Sequence, residues 1–219
     1  MKPLCKQSSA LGLVTAVMIM ASTAGAAIIP FNTDPFAGTT ALTMPGRQVV
    51  GGELFVDFSI ATDRFSFDPA VFGISTINFA NATAGSLPTS GLNVVVLQTF
   101  DNDANPATPF GAGTAANLIA DRITAPGAGF FIYFNDQLNV PRLVYSTDLS
   151  DSQADLKVLA RLTNLSGATG QAATSTFTAG NFQVGGATAT VPDSTGNVAL
   201  FLAGSAVLLV RFFARRHVR

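Results

Sequence analysis

Phe130-Phe131-Ile132-Tyr133-Phe134 runs straight into Asn135-Asp136, and Arg142-Leu143-Val144-Tyr145-Ser146-Thr147 follows a short way on. The first run is apolar at every position, so a strand built from it buries both faces and reads as central in a sheet. Asn135-Asp136 supplies turn chemistry, and the second run returns as a neighbouring strand. Upstream, Leu54, Val56, Phe58 and Ile60 alternate with Glu53, Phe55, Asp57 and Ser59. Phe65 and Phe67 alternate with Arg64, Ser66 and Asp68, and Asn93 to Phe100 is β-branched and apolar. Short runs punctuated by Gly, Pro, Asn and Asp predict an all-β fold, an antiparallel β-sandwich of about eight strands with a jelly roll as one arrangement.

One segment reads two ways. Ser152-Gln153-Ala154-Asp155 before Leu156, Leu159 and Leu162 suits a capped helix. As a strand, the same stretch puts Leu156, Val158, Ala160 and Leu162 on one face and Lys157, Arg161 and Thr163 on the other. Its strand-rich surroundings favour the strand. Ser166 to Thr190 is low in complexity, with 19 of 25 residues Gly, Ala, Ser or Thr, and Phe177, Phe182 and Val184 offer a last strand inside it.

The two ends of the 219-residue chain have a different character. Lys2 and Lys6 precede an apolar run from Ala10 to Ala21, and Ala24-Gly25-Ala26 places small residues where a signal peptidase cuts. Residues 1–27 are therefore expected to be a secretory signal peptide, cleaved after Ala26 or Ala27. Cys5 precedes the apolar run, which excludes a lipoprotein reading, and it leaves with the peptide.

At the other end, Val191-Pro192-Asp193-Ser194-Thr195-Gly196 leads into the apolar run Val198 to Val210, followed by Arg211, Arg215, Arg216 and Arg219. As a helix, Val198 to Val210 rises roughly 20 Å against a hydrocarbon core of roughly 30 Å. Extension to Ala214 with Arg211 snorkelling makes a single transmembrane helix, and the arginines hold its end in the cytoplasm. Pro192 and the capping residues Asp193 and Ser194 then mark the start of the helix at the outer interface.

This motif, helix and basic end resemble the PEP-CTERM class of protein-sorting signals, specifically its VPDSG variant. The match covers Val191 to Arg219 and departs from the variant at Thr195, with Gly196 one place late. The resemblance implies a substrate of an exosortase, a membrane protease/transpeptidase acting at Val191, Pro192, Asp193, Ser194 and Gly196, in Gram-negative bacteria that make exopolysaccharide and biofilm. The stretches Phe131–Asn135, Arg142–Leu149, Ala154–Leu156 and Leu159–Thr163 also resemble core strands of other secreted proteins with such tails. That likeness implies no activity for them. The expected organisation is a leader over 1–27, a secreted domain over 28–184, a flexible stalk over 185–190 and a sorting and membrane segment over 191–219.

The whole chain carries 12 basic and 13 acidic residues, but the ends hold half of the basic ones. Residues 28–190 keep six basic residues against twelve acidic ones, a net charge of −6. No basic face is available for nucleic acid. This middle part has no His and no Cys, which removes the Ser-His-Asp triad, the Cys-His dyad and imidazole zinc sites. No Gly-rich run has phosphate-loop spacing. Paired carboxylates remain formally available, but no enzyme is expected.

Asp101, Asp103 and Asn105 fall at the spacing of the first three ligands of a calcium loop, although Pro106 stands where a turn glycine belongs and no closing Glu follows. The other reading of that stretch is a polar loop built from Asx turns. Asp148, Asp151 and Asp155 form a second acidic group, suited to a weak cation or to a solvated turn. The expected function is that of a non-enzymatic exported surface or biofilm-matrix protein, with signal peptidase, an exosortase and the inner membrane as partners and exopolysaccharide as a candidate one. The alternative is a carbohydrate-binding β-sandwich module, with or without calcium.

Overall fold

Two sheets meet across a layer of phenylalanine side chains. The computed structural model describes residues 25–185, apart from Asn102 and Pro106. Most of the expected leader, the expected stalk beyond Gly185 and the expected sorting and membrane segment over 191–219 lie outside the described residues. Ten strands follow in order: β1 (Ile28–Phe31), β2 (Val49–Val50), β3 (Leu54–Val56), β4 (Arg64–Phe67), β5 (Phe79–Ala82), β6 (Val94–Leu97), β7 (Gly129–Asn135), β8 (Val140–Ser146), β9 (Leu156–Leu162) and β10 (Phe182–Val184). Helices α1 (Pro69–Phe72), α2 (Ala112–Ala120) and α3 (Gly167–Ala173) interrupt them, so the fold is β-rich without being all-β.

The small sheet has the order β1-β4-β10, and the large one runs β2-β9-β8-β7-β6-β5 with β3 also on β9. The expected antiparallel pattern is corrected here. Both pairings in the small sheet are parallel, as are β2 and β3 with β9, β5 with β6, and β6 with β7. Among the described residues only β7-β8 and β8-β9 are antiparallel. The physical reason lies in the connections. A parallel pair needs a crossover of a dozen residues or so, and the long stretch between β6 and β7 provides one by way of α2. Gly and Pro in that stretch punctuate the crossover and make no hairpin there.

Parallel strands buried on both faces carry unbroken apolar runs, and β6 and β7 do so. Val94, Val96, Phe130 and Ile132 face the small sheet, where Phe65, Phe67, Phe58 and Phe182 fill the interlayer core. Val95, Leu97, Phe131 and Tyr133 face the opposite way, against Ala115, Ala116 and Ile119 of α2. The central placement of Phe130–Phe134 follows the reading from sequence, and so does the β7-β8 hairpin.

The strand reading of residues 156–162 also holds, but its two faces do not. Leu143 pairs with Ala160 and Val144 with Val158, which leaves Leu159 as an extra residue on β9. The bulge reverses the alternation. Leu156 and Val158 pack on the α2 side, whereas Leu159, Ala160 and Leu162 pack toward the small sheet. The edge strand opposite breaks at the same level, between β2 and β3, around Gly52 with φ +88°.

The described part of the low-complexity stretch, residues 166–185, holds more than the last strand expected of it. It folds as α3, two short 3-10 turns and then β10. Gly185, expected as the first stalk residue, is instead tied to the small sheet: its N–H donates to Phe67 O at 3.0 Å and its carbonyl accepts from Ser66 Oγ at 2.7 Å.

Candidate functional site

The acidic loop after β6 uses its carboxylates on itself. Asp101 Oδ1 accepts from the backbone N–H of Asp103 at 3.0 Å and of Ala104 at 3.1 Å. Asp103 Oδ1 accepts from Asn105 N–H at 2.9 Å and Oδ2 from the Thr108 hydroxyl at 2.6 Å, while Asn105 Oδ1 accepts from Ala107 N–H at 3.0 Å. The Thr108 and Asn105 donors hold the Asp103 carboxyl below its ordinary range. These are the bonds of successive Asx turns. Among the described residues no group of three or more His, Cys, Asp or Glu side chains converges on one point.

Asp148, Asp151 and Asp155 part company in the same way. Asp148 Oδ1 takes N–H donors from Gly127 and Ser150 and the Ser150 hydroxyl, and these outweigh the effect of its burial and keep it more acidic than usual. Asp151 accepts from Gln153 N–H at 2.7 Å. Asp155 is buried and receives Leu42 N–H at 2.7 Å and Gln48 N–H at 2.6 Å, which pins the segment before β2 to the start of β9.

A cluster the sequence reading passed over lies on the α2 side of the large sheet. Registered pairs Tyr133–Arg142 and Arg142–Arg161 across β7, β8 and β9, then Arg161–Phe55 across β9 and β3, set four side chains in one row. Glu53 Oε1 accepts from Arg142 at 3.0 Å and from Arg161 at 2.6 Å. Burial pushes the Glu53 carboxyl up, but hydrogen bonds from the backbone and Arg161 and the charges of both arginines prevail and hold it low. Arg161 also lies 4.8 Å above the centroid of the Phe55 ring, which is 69% exposed. Glu53 is the chain's single glutamate, the one signal in the sequence that sets it apart. Its partners stand 89 and 108 residues away and meet it only through strand order.

Two shallow clefts lie among the described residues. One, of about 250 Å³, lies among Asn32, Thr33, Asp34, Gly52 and Lys157. The other, of about 320 Å³, lies at the starts of β6 and β7, with Thr76, Asn78 and Asn93 on its wall. Tyr133 and Tyr145, the chain's two tyrosines, are both buried, so neither offers a flat exposed ring. Among the described residues no helix is long and apolar enough to cross a membrane. Comparison with known protein families, with curated proteins and with solved structures gave no match.

Proposed function

We propose that the chain is a non-enzymatic exported protein of the cell surface or biofilm matrix, delivered by its leader and sorted through the tail that begins at Val191. The observation that carries this reading is the order of motif, apolar run and arginines over residues 191–219. The extent of the β-rich fold supports it: β1 starts at Ile28, next to the expected leader, and β10 ends at Val184. Because β1, β4 and β10 are parallel, the chain enters the small sheet at one end and leaves it at the other. Between Gly185 and Val191 an extended chain spans at most about 20 Å. In this reading the Phe67 and Gly185 end of the domain faces the membrane, with the motif within reach of a membrane-bound exosortase.

The test is cell fractionation with mass spectrometry of the protein's C-terminus in a host that has an exosortase. The expected result is an exported form lacking the arginine-rich end. Full-length protein confined to the cytosol would sink the proposal.

A second reading, glycan binding, has one feature in its favour: Phe55 is exposed beside the Arg161 guanidinium, an aromatic and cationic combination that can stack on and hydrogen-bond a sugar. Retention of the protein on a matrix polysaccharide, lost in Phe55→Ala, would favour it over a purely structural role.

A further inference from the structure

Among the described residues Asp63 is a buried carboxylate with no cation beside it. It is 6% exposed, and its oxygens accept from Ala27 N–H at 2.9 Å, Ser59 N–H at 2.8 Å and the Thr62 hydroxyl at 3.0 Å. Among the described residues the ion pairs are those of Glu53 with Arg142 and Arg161, and none reaches Asp63. A carboxylate taken out of water and served only by neutral donors lacks its usual compensation.

The donor at 2.9 Å belongs to Ala27, the residue that follows Ala24-Gly25-Ala26. We propose that the leader is cut between Ala26 and Ala27, and that the α-ammonium released at Ala27 is the missing partner of Asp63. This rests on the export reading above. In the cut, a peptidase adds water across the bond: the Ala26 carbonyl carbon takes the hydroxyl, the C–N bond to Ala27 breaks, and the nitrogen leaves as an amine that is protonated near neutral pH. A neutral amide donor thereby becomes a cationic one at the same position, and charge-assisted hydrogen bonds are the stronger kind.

The geometry separates this cut from the neighbouring one after Ala27. Arg64 N–H donates to Ala27 O at 2.9 Å, one step before the Ile28–Arg64 pair that opens the β1-β4 register. Removal of Ala27 would delete that bond and leave Asp63 Oδ1 with the Thr62 hydroxyl alone. The same corner holds the other terminal strand. Asn181, the residue before β10, donates to Ile60 O at 2.6 Å and to Asp63 O at 3.0 Å. The 59–63 turn thus latches the starts of both strands that flank β4, and maturation charges that latch.

The experiment has two arms. Full-length protein is expressed in a bacterium with a signal peptidase and its N-terminus sequenced: Ala27 is expected, and Ile28 overturns the proposed cut. An uncut Met1 form would overturn the export reading itself, and the second arm still decides the docking. There, chains 27–219 and 26–219 are released in detergent from a cleavable fusion partner and melted, each also as Asp63→Asn. The chain starting at Ala27 should melt about 3 °C above the longer one, and the difference should vanish in Asp63→Asn. Equal melting of the two unsubstituted chains, or a difference that persists in Asp63→Asn, overturns the docking. If Asp63→Asn does not fold, the unsubstituted pair decides alone.

Discussion

Arg142 and Arg161 sit directly opposite each other on β8 and β9, two like charges in one registered pair, held together by a single Glu53 oxygen. Like charges in that position repel, so the pairing of these strands at this level depends on the carboxylate between them. The same carboxylate belongs to the residue just ahead of β3, so it also ties the edge strand to the centre of the large sheet.

Glu53→Gln keeps the shape and removes the charge. Urea unfolding should show a loss of about 2 kcal/mol, because two partly buried guanidinium groups are left facing each other. The pH dependence has a definite sign. Glu53 is more acidic in the folded state, so its contribution is complete above the unfolded value of about 4.3 and fades as the pH falls through the lower folded value. Stability measured from pH 6 down to pH 3 should therefore fall less steeply in Glu53→Gln than in the parent protein.

The two sheets meet where Phe67 lies flat on Phe130, with ring centroids 3.6 Å apart and planes 15° apart. Phe130 also touches Phe72 and Tyr145, and both rings of the stack are fully buried. Phe130→Ala should cost about 4 kcal/mol, the scale of an aromatic deletion that leaves a cavity. Thermal unfolding followed by near-ultraviolet circular dichroism measures it, with Tyr145 as a nearby reporter.

Gly129 opens β7 where the backbone of the preceding strand comes close. A Cβ at that position would stand 2.7 Å from Asn93 O and would strike the Leu149 side chain. Because the backbone oxygen cannot swing away, Gly129→Ala should destabilise by about 2 kcal/mol. A parallel Gly127→Ala variant, whose Cβ meets nothing within 4 Å, should be near neutral in the same denaturant titration.

Deletion of Leu159 tests the bulge. Without it β9 pairs with β8 in regular register, Val158 still on Val144 and Ala160 still on Leu143, so each segment keeps its apolar set on its own layer. The expected outcome is a chain that still folds cooperatively but loses about 3 kcal/mol in urea unfolding with the buried Leu159 side chain, whereas rapid digestion by a protease that the parent protein resists would show that the bulge itself is needed. A Leu159→Ala variant, which keeps the extra residue, should fold with a cost of about 3 kcal/mol.

Millimolar calcium should leave the melting temperature unchanged, because the Asp101 and Asp103 oxygens are already turned toward the donors of their own loop. A rise on calcium addition that disappears in Asp103→Asn would instead make this loop a cation site.

Local pattern carried much of the strand content. An unbroken apolar run can satisfy itself only where both faces are covered, so Phe130–Phe134 declared a central strand, and Asn135 with Asp136 declared the hairpin that follows. The leader and tail readings are equally local, resting on runs of charge, small residues and apolar length that need no fold to be seen. Strand direction was not legible, because apolar alternation is the same in a parallel and an antiparallel strand, and only the path of the crossover through α2 decides between them. The faces of β9 were hidden for a related reason: one unpaired residue inverts the period, and Leu159 shows itself as extra only against β8. The Glu53 cluster and the Asp63 latch join residues far apart in the chain, and distance in sequence carries no trace of which strands become neighbours. Composition and period thus determined which runs are buried, whereas strand order alone decided which charges meet.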